Sequence, residues 1–222
     1  LAIPKIDDCA RILIVEGYSD LLFFAEALEW LKNPSGVFIK DLGGSGNFKR
    51  DRPELRKHHI LRRSTLETFL APPLLAQKTA IGVVVDADTD AAATSQKLEA
   101  VLSAITGQTV TTGAWTVGPP RIGLFVVPGA GRQGEIETLV WEAWANDPAN
   151  AGSRTCVEGF LACMDQHGRT AHSPDKGRIG ALLSVLSDED PRLGPGARDG
   201  AFDFARPELQ PLLDFLRPLA SP

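Results

Sequence analysis

Two acidic positions close apolar runs. Glu16 follows "ILIV", and Asp86 follows "IGVVV" and opens "DADTD", with Asp88 two residues behind it. Acids at the C-terminal ends of strands in an open α/β sheet share one edge, the edge at which such sheets bind ligands. Residues i and i+2 of an extended segment point to the same side, so the spacing predicts that Asp86 and Asp88 converge with Glu16. Like charges gathered this way repel one another unless a cation neutralises them. Hard carboxylate oxygens suit Mg²⁺ or Mn²⁺. The chemistry expected of Glu16, Asp86 and Asp88 is therefore divalent-metal binding. Asp20 and Asp90 lie close behind as further ligands, and Glu137, with Glu135 beside it, follows a later apolar run.

Each of these residues also has an ordinary reading. A strand-end acid is often a cap or a solvated turn residue, and acids in the first turn of a helix favour its dipole. An EF-hand loop starting at Asp86 fails on spacing, since Ala91 and Lys97 stand where glycine and glutamate are required. In "GGSGNFKR", Gly43 and Gly44 would let backbone N–H groups approach a phosphate, and Lys49 or Arg50 would pair with it. The stretch matches neither a P-loop nor a dinucleotide fingerprint, and it reads equally as a plain loop. Cys156, Cys163, His167 and His172 are too widely spaced for a usual zinc site. His58 and His59, in a basic stretch, read as a solvated helix face. Lys176 would reach the acids only if the C-terminal region folds over the sheet edge. The four tryptophans read as core.

The elements that must position the acids follow from periodicity. Arg11 to Val15, Val37 to Ile39, Ile81 to Val85 and Ile122 to Val127 are short β-branched runs, the pattern of buried parallel strands. Between the first two, Leu21, Phe24, Ala25, Leu28 and Leu31 fall at helical spacing, with Ser19 as expected N-cap. A second helix is expected over Pro53 to Leu75, stopped by the prolines at 72 and 73. A third follows Asp90 and ends near Gly107. The order βαβαβαβ predicts a doubly wound, mostly parallel α/β sheet flanked by helices. Beyond Pro128, segments at Glu135 to Ala145, Thr155 to Met164, Ile179 to Leu186 and Glu208 to Leu216 read as helices. The expected organisation is an α/β core over 1–130, with a mainly helical extension over 131–222 packed on it as one structural domain.

Composition narrows the function classes. The chain has 222 residues, 43% hydrophobic and 23% charged, which is ordinary globular usage. A net charge of −5 argues against a protein that grips nucleic acid by bulk attraction, so phosphate contacts would be local, metal-assisted or weak at physiological salt. Three cysteines and no signal-peptide pattern point to a reducing cytoplasm without disulfides, and no apolar run is long enough for a membrane span.

An acid and glycine after the first strand, and an Asp-x-Asp pair after a later strand of the same sheet, resemble the Toprim domain. Topoisomerases, bacterial primases, recombination proteins and overcoming-lysogenisation-defect nucleases share that domain. More closely, "VEGYSDLLFF", "DLGGSGNFK", "GVVVDADTD", "RIGLFVVPG", "GEIETLV" and "DKGRIGALLSVL" together resemble a family of uncharacterised Toprim-related bacterial proteins over nearly the whole chain. The resemblance makes Glu16 the Toprim glutamate, and Asp86 and Asp88 the metal-binding pair. It implies Mg²⁺- or Mn²⁺-dependent phosphodiester hydrolysis on nucleic acid, with Glu16 as a ligand or general base. The alternative is a catalytically silent module that contacts a protein partner. Tyr18 is the sole tyrosine and no zinc module of primase type is present, which argues against strand passage and primer synthesis. "VVVDADTD" more weakly resembles the haloacid-dehalogenase phosphatases, with Lys176 and the acid pair Asp188 and Asp190 completing that set.

Overall fold

The computed structural model describes residues 5–32, 36–43, 60–61, 63–171, 173–187 and 190–220. Its centre is a sheet of four strands, β1 (Arg11–Val15), β2 (Val37–Asp41), β3 (Ala80–Asp86) and β4 (Arg121–Val127), ordered β2-β1-β3-β4. All three pairings are parallel, with Val15 opposite Asp41 and Asp86 opposite Val127. The C-terminal ends of the strands therefore share one edge. Strand β1 is buried along its whole length and β3 up to Asp86, as expected of strands covered on both faces.

Alternation sorts their side chains between two cores. Ile12, Ile14, Ile81, Val83, Val85, Leu124 and Val126 face a layer with Leu66 and Leu70, α2 (Arg63–Phe69) supplying the former. Leu98 and Leu102 of α4 (Ala91–Thr106) join the same layer. Leu13, Val15, Val84, Phe125 and Val127 face the opposite layer, built from α1 (Tyr18–Trp30) and the C-terminal helices. Those helices are α5 (Ile136–Ala145), α6 (Ala151–Gln166), α7 (Pro174–Leu186), α8 (Leu193–Arg198) and α9 (Gln210–Ala220). Among the described residues, no helix is long and apolar enough to cross a membrane.

Helix α9 reaches the sheet over two glycines. Gly82 and Gly123 are register partners on β3 and β4. A Cβ on Gly123 would stand 2.6 Å from Trp115 Cε2 and 2.9 Å from Phe215, and one on Gly82 would stand 2.9 Å from Leu219. Trp115 stacks on Phe215, with ring centroids 5.1 Å apart, and its indole N–H donates to the Phe215 carbonyl at 3.0 Å. Two missing side chains thus let an aromatic pair pack closely against the sheet.

Three local expectations are corrected. The prolines at 72 and 73 open a new short helix, α3 (Pro72–Gln77), because proline fits the first turn, where no N–H is needed. The expected helix from Pro53 is thereby divided, and its stretch before residue 60 lies outside the described residues. Ser19 does not cap α1, whose N-cap is Gly17. Its hydroxyl instead accepts the N–H of Gly194 at 3.2 Å. Helix α8, in the Gly- and Pro-rich "LGPGAR", was not expected. Its glycines permit close packing, since a Cβ on Gly194 would stand 2.5 Å from the Ser19 carbonyl, and one on Gly196 2.5 Å from Leu183.

Candidate metal centre

Strand β1 delivers Glu16 and β3 delivers Asp86 to the same edge, and the two touch. The Asp86 N–H donates to Glu16 Oε1 at 3.1 Å. Both chains are held there by buried β-branched neighbours, so neither acid has much freedom to move away. Glu16 is itself buried.

Past Asp86 the chain leaves the extended conformation. Asp88 has φ +50°, so the same-side alternation expected for Asp86 and Asp88 ends at the strand. Asp88 is exposed and uses its backbone, exchanging N–H···O bonds of 2.9 Å in both directions with Gly134. This antiparallel bridge draws the segment after β4 across the end of β3. Gly134 suits the crossing, with φ +132° and Thr138 Oγ1 only 2.6 Å from where a Cβ would be. The Ile136 N–H then donates to Asp86 Oδ1 at 2.9 Å. Asp86 is tied from both sides.

The crossing brings Glu135, the N-cap of α5, and Glu137, in its first turn, against Asp86. Ligand oxygens of Asp86, Glu135 and Glu137 all lie within 4.8 Å of one another, a grouping that could hold a metal ion. Glu16 sits beside this triad through its bond to Asp86. Asp88 lies near enough to raise the proton affinity of Glu16. Asp20 accepts the Gly17 N–H at 2.9 Å through Oδ2, and its charge acts on Glu16, Asp86 and Glu137. Asp90 serves as N-cap of α4, accepting the Ala93 N–H at 2.9 Å. Gly43, two residues past the end of β2, has φ +83° and its carbonyl accepts the Ile60 N–H at 3.0 Å. Gly44, Lys49 and Arg50 lie outside the described residues.

The acids are placed at an electrostatic cost. Burial pushes Glu16 up to about 7, with Asp88 and Asp20 adding to it against the Asp86 N–H. Burial also lifts Glu137 to about 7, reinforced by Asp20, Asp175 and Glu16. Asp86 is held well above the usual carboxylate range, by burial first and then by Glu16, Asp20 and Glu137. Asp20 is raised by burial too, opposed by the Gly17 N–H. Among the described residues one cation answers this charge: Lys176 of α7 does fold over the sheet edge. Its Nζ lies 3.2 Å from Glu137 Oε2, pairs with Glu135 as well, and acts favourably on Glu16, Asp20 and Asp86.

The remaining motifs fall elsewhere. Cys156 and Cys163 are free and exposed, Cys9 is free and buried, and the possible metal group among the described residues contains no cysteine or histidine. His58, His59 and His172 lie outside the described residues. Asp190 is bound by Arg192, which holds its carboxyl below the usual range, and Asp188 lies outside the described residues. Trp141 and Trp144 stack at 5.5 Å, whereas Trp30 remains partly exposed.

A family model described as "Protein of unknown function (DUF3226)" matches residues 10–221, and the chain belongs to that family. No curated protein and no solved structure matches it.

Proposed function

We propose that this DUF3226-family protein is a Toprim-like divalent-metal protein that hydrolyses phosphodiester bonds of nucleic acid. The observation that carries this reading is the convergence of Asp86, Glu135 and Glu137 within 4.8 Å, with Glu16 bonded alongside. The donor set fits Mg²⁺ or Mn²⁺: every ligand is a carboxylate oxygen, and among the described residues one lysine stands against at least four acids. Such an ion, when bound, polarises a phosphoryl oxygen and stabilises the charge that develops on it. Asp86, Glu135 and Glu137 would hold it, and Asp88 and Asp20 would add negative potential around it. Glu16 has a proton affinity near neutrality, which suits a general base taking a proton from water beside the triad. The specific assignment to phosphodiesters rests on the Toprim resemblance.

The same reading divides the chain into a core over 1–130 that supplies Glu16 and Asp86, and an extension over 131–222 that completes the site with α5 and α7. Because the chain is acidic overall, nucleic acid would be engaged through the metal and local contacts.

One observation favours a second reading, a silent interaction module with a protein partner. Lys176 already supplies a positive charge to Glu135 and Glu137, as expected of a site that has become structural. The phosphatase reading gains less, since Asp190 is engaged by Arg192. A cleavage assay on single- and double-stranded DNA and RNA with Mn²⁺ separates the readings. The nuclease reading expects metal-dependent products that vanish in Asp86→Asn and Glu137→Gln, while folded protein without products supports the module.

A further inference from the structure

Lys176 occupies the ground a metal would need. Its ammonium lies 3.2 Å from Glu137 Oε2 and also pairs with Glu135, two of the three carboxylates that could hold an ion. Beyond that ammonium, no described group donates to Glu135 Oε2, which is otherwise shut away from water. A cation ligated by Glu135 and Glu137 and an ammonium bonded to both draw on the same lone pairs.

The lysine is carried on a fixed base and a free arm. Ser173 caps α7 by accepting the Lys176 N–H at 3.3 Å. The neighbouring Asp175 accepts from Thr138 Oγ1 of α5 at 2.6 Å and pairs with Arg178, whose guanidinium lies 5.9 Å from the Trp141 ring centroid. These links fasten the start of α7 to the helix that bears Glu135 and Glu137. The side chain itself is 53% exposed, so its ammonium can turn into water with little loss of burial. A doubly charged ion held by three carboxylates outcompetes a single ammonium that solvent screens.

We propose that Lys176 is an exchangeable internal counter-ion: its ammonium neutralises Glu135 and Glu137 until a divalent cation displaces it, so that metal binding and lysine release are one event. This rests on the metal reading above. It gives the site a built-in competitor that sets the metal concentration at which it fills, while keeping the metal-free acids from repelling α5 away from the sheet edge.

Two measurements on the full chain test it. Mn²⁺ titration by calorimetry should show Lys176→Gln binding roughly threefold or more tightly than wild type, the scale of one partly exposed ion pair. In wild type, modification of Lys176 by an amine-reactive acetylating reagent, followed by peptide mass spectrometry, should accelerate when Mn²⁺ is saturating. Equal or weaker Mn²⁺ binding by Lys176→Gln overturns the inference while leaving the metal site standing. Unchanged labelling with Mn²⁺ bound also overturns it, because any gain in affinity would then be a general field effect. If neither protein binds Mn²⁺, the metal reading itself fails and this inference falls with it.

Discussion

The backbone N–H of Asp86 donates to the carboxylate of Glu16 at 3.1 Å, joining the ends of two adjacent parallel strands through one side chain. The bond explains how a buried glutamate is retained at a strand end. It lowers the proton affinity that burial raises, and it sets Glu16 beside the Asp86 carboxylate, where both meet the first turn of α5. The acids are thus held by backbone donors on the sheet side and, among the described residues, are faced on the open side by Lys176 alone, so negative charge is in excess there.

That imbalance makes removal of a charge stabilising when no metal is present. Asp86→Asn keeps an oxygen to accept the Ile136 N–H but removes a half-buried negative charge. In a chelator at pH 7.5, the variant should be as stable as wild type or more so, by roughly 1–3 kcal/mol. Added Mg²⁺ or Mn²⁺ should raise the melting temperature of wild type more than that of the variant at the same ion concentration. Thermal unfolding with and without ion is the check, and a marked loss of stability in chelator would make Asp86 a structural cap.

Acidity should act in the unusual direction. Glu16 and Glu137 titrate near 7 in the folded protein but near 4.5 when unfolded, so the folded state binds more protons between those values. Their contribution is most favourable below about pH 4.5 and is lost as pH rises through about 7. The loss approaches roughly 3 kcal/mol per group. Denaturant titrations in chelator from pH 5 to 8 should show stability attributable to the site falling with pH, and a Glu16→Gln, Glu137→Gln variant should flatten the slope. Metal affinity should run the other way, rising over the same window as the carboxylates ionise.

The glycines under α9 should differ sharply from those on the surface. Gly123→Ala drives a methyl into Trp115 and Phe215 and should cost about 1–3 kcal/mol, with a change in tryptophan fluorescence. Gly152→Ala, in α6 with nothing within 4 Å, should instead stabilise by about 0.5–1 kcal/mol. Urea unfolding of the two variants checks the contrast.

The sheet was legible because each strand is a compact β-branched run, and buried parallel strands need little else. All four expected strands form, and the helical C-terminal region is there too. Proline was misjudged at Pro72 because the same residue that stops a helix also opens one. Helix α8 was hidden because Gly194 and Gly196 weaken its intrinsic propensity, and their value lies in contacts with Ser19 and Leu183 far away in sequence. The site shows the same division. Glu16 and Asp86 could be read from strand ends, since local sequence determines where they project. Glu135 could not be separated from an ordinary helix-start acid, because its position depends on the Asp88–Gly134 bridge. Lys176 is 39 residues beyond Glu137, and only the packing of α7 on α5 makes the pair.

The most direct test of the central claim is calorimetric titration of wild type and Asp86→Asn with Mg²⁺ and Mn²⁺ at pH 7.5. The account predicts saturable binding by wild type that weakens at least about tenfold in the variant, as loss of one of three carboxylate ligands requires. Absence of binding by wild type, or undiminished binding by Asp86→Asn, would contradict it.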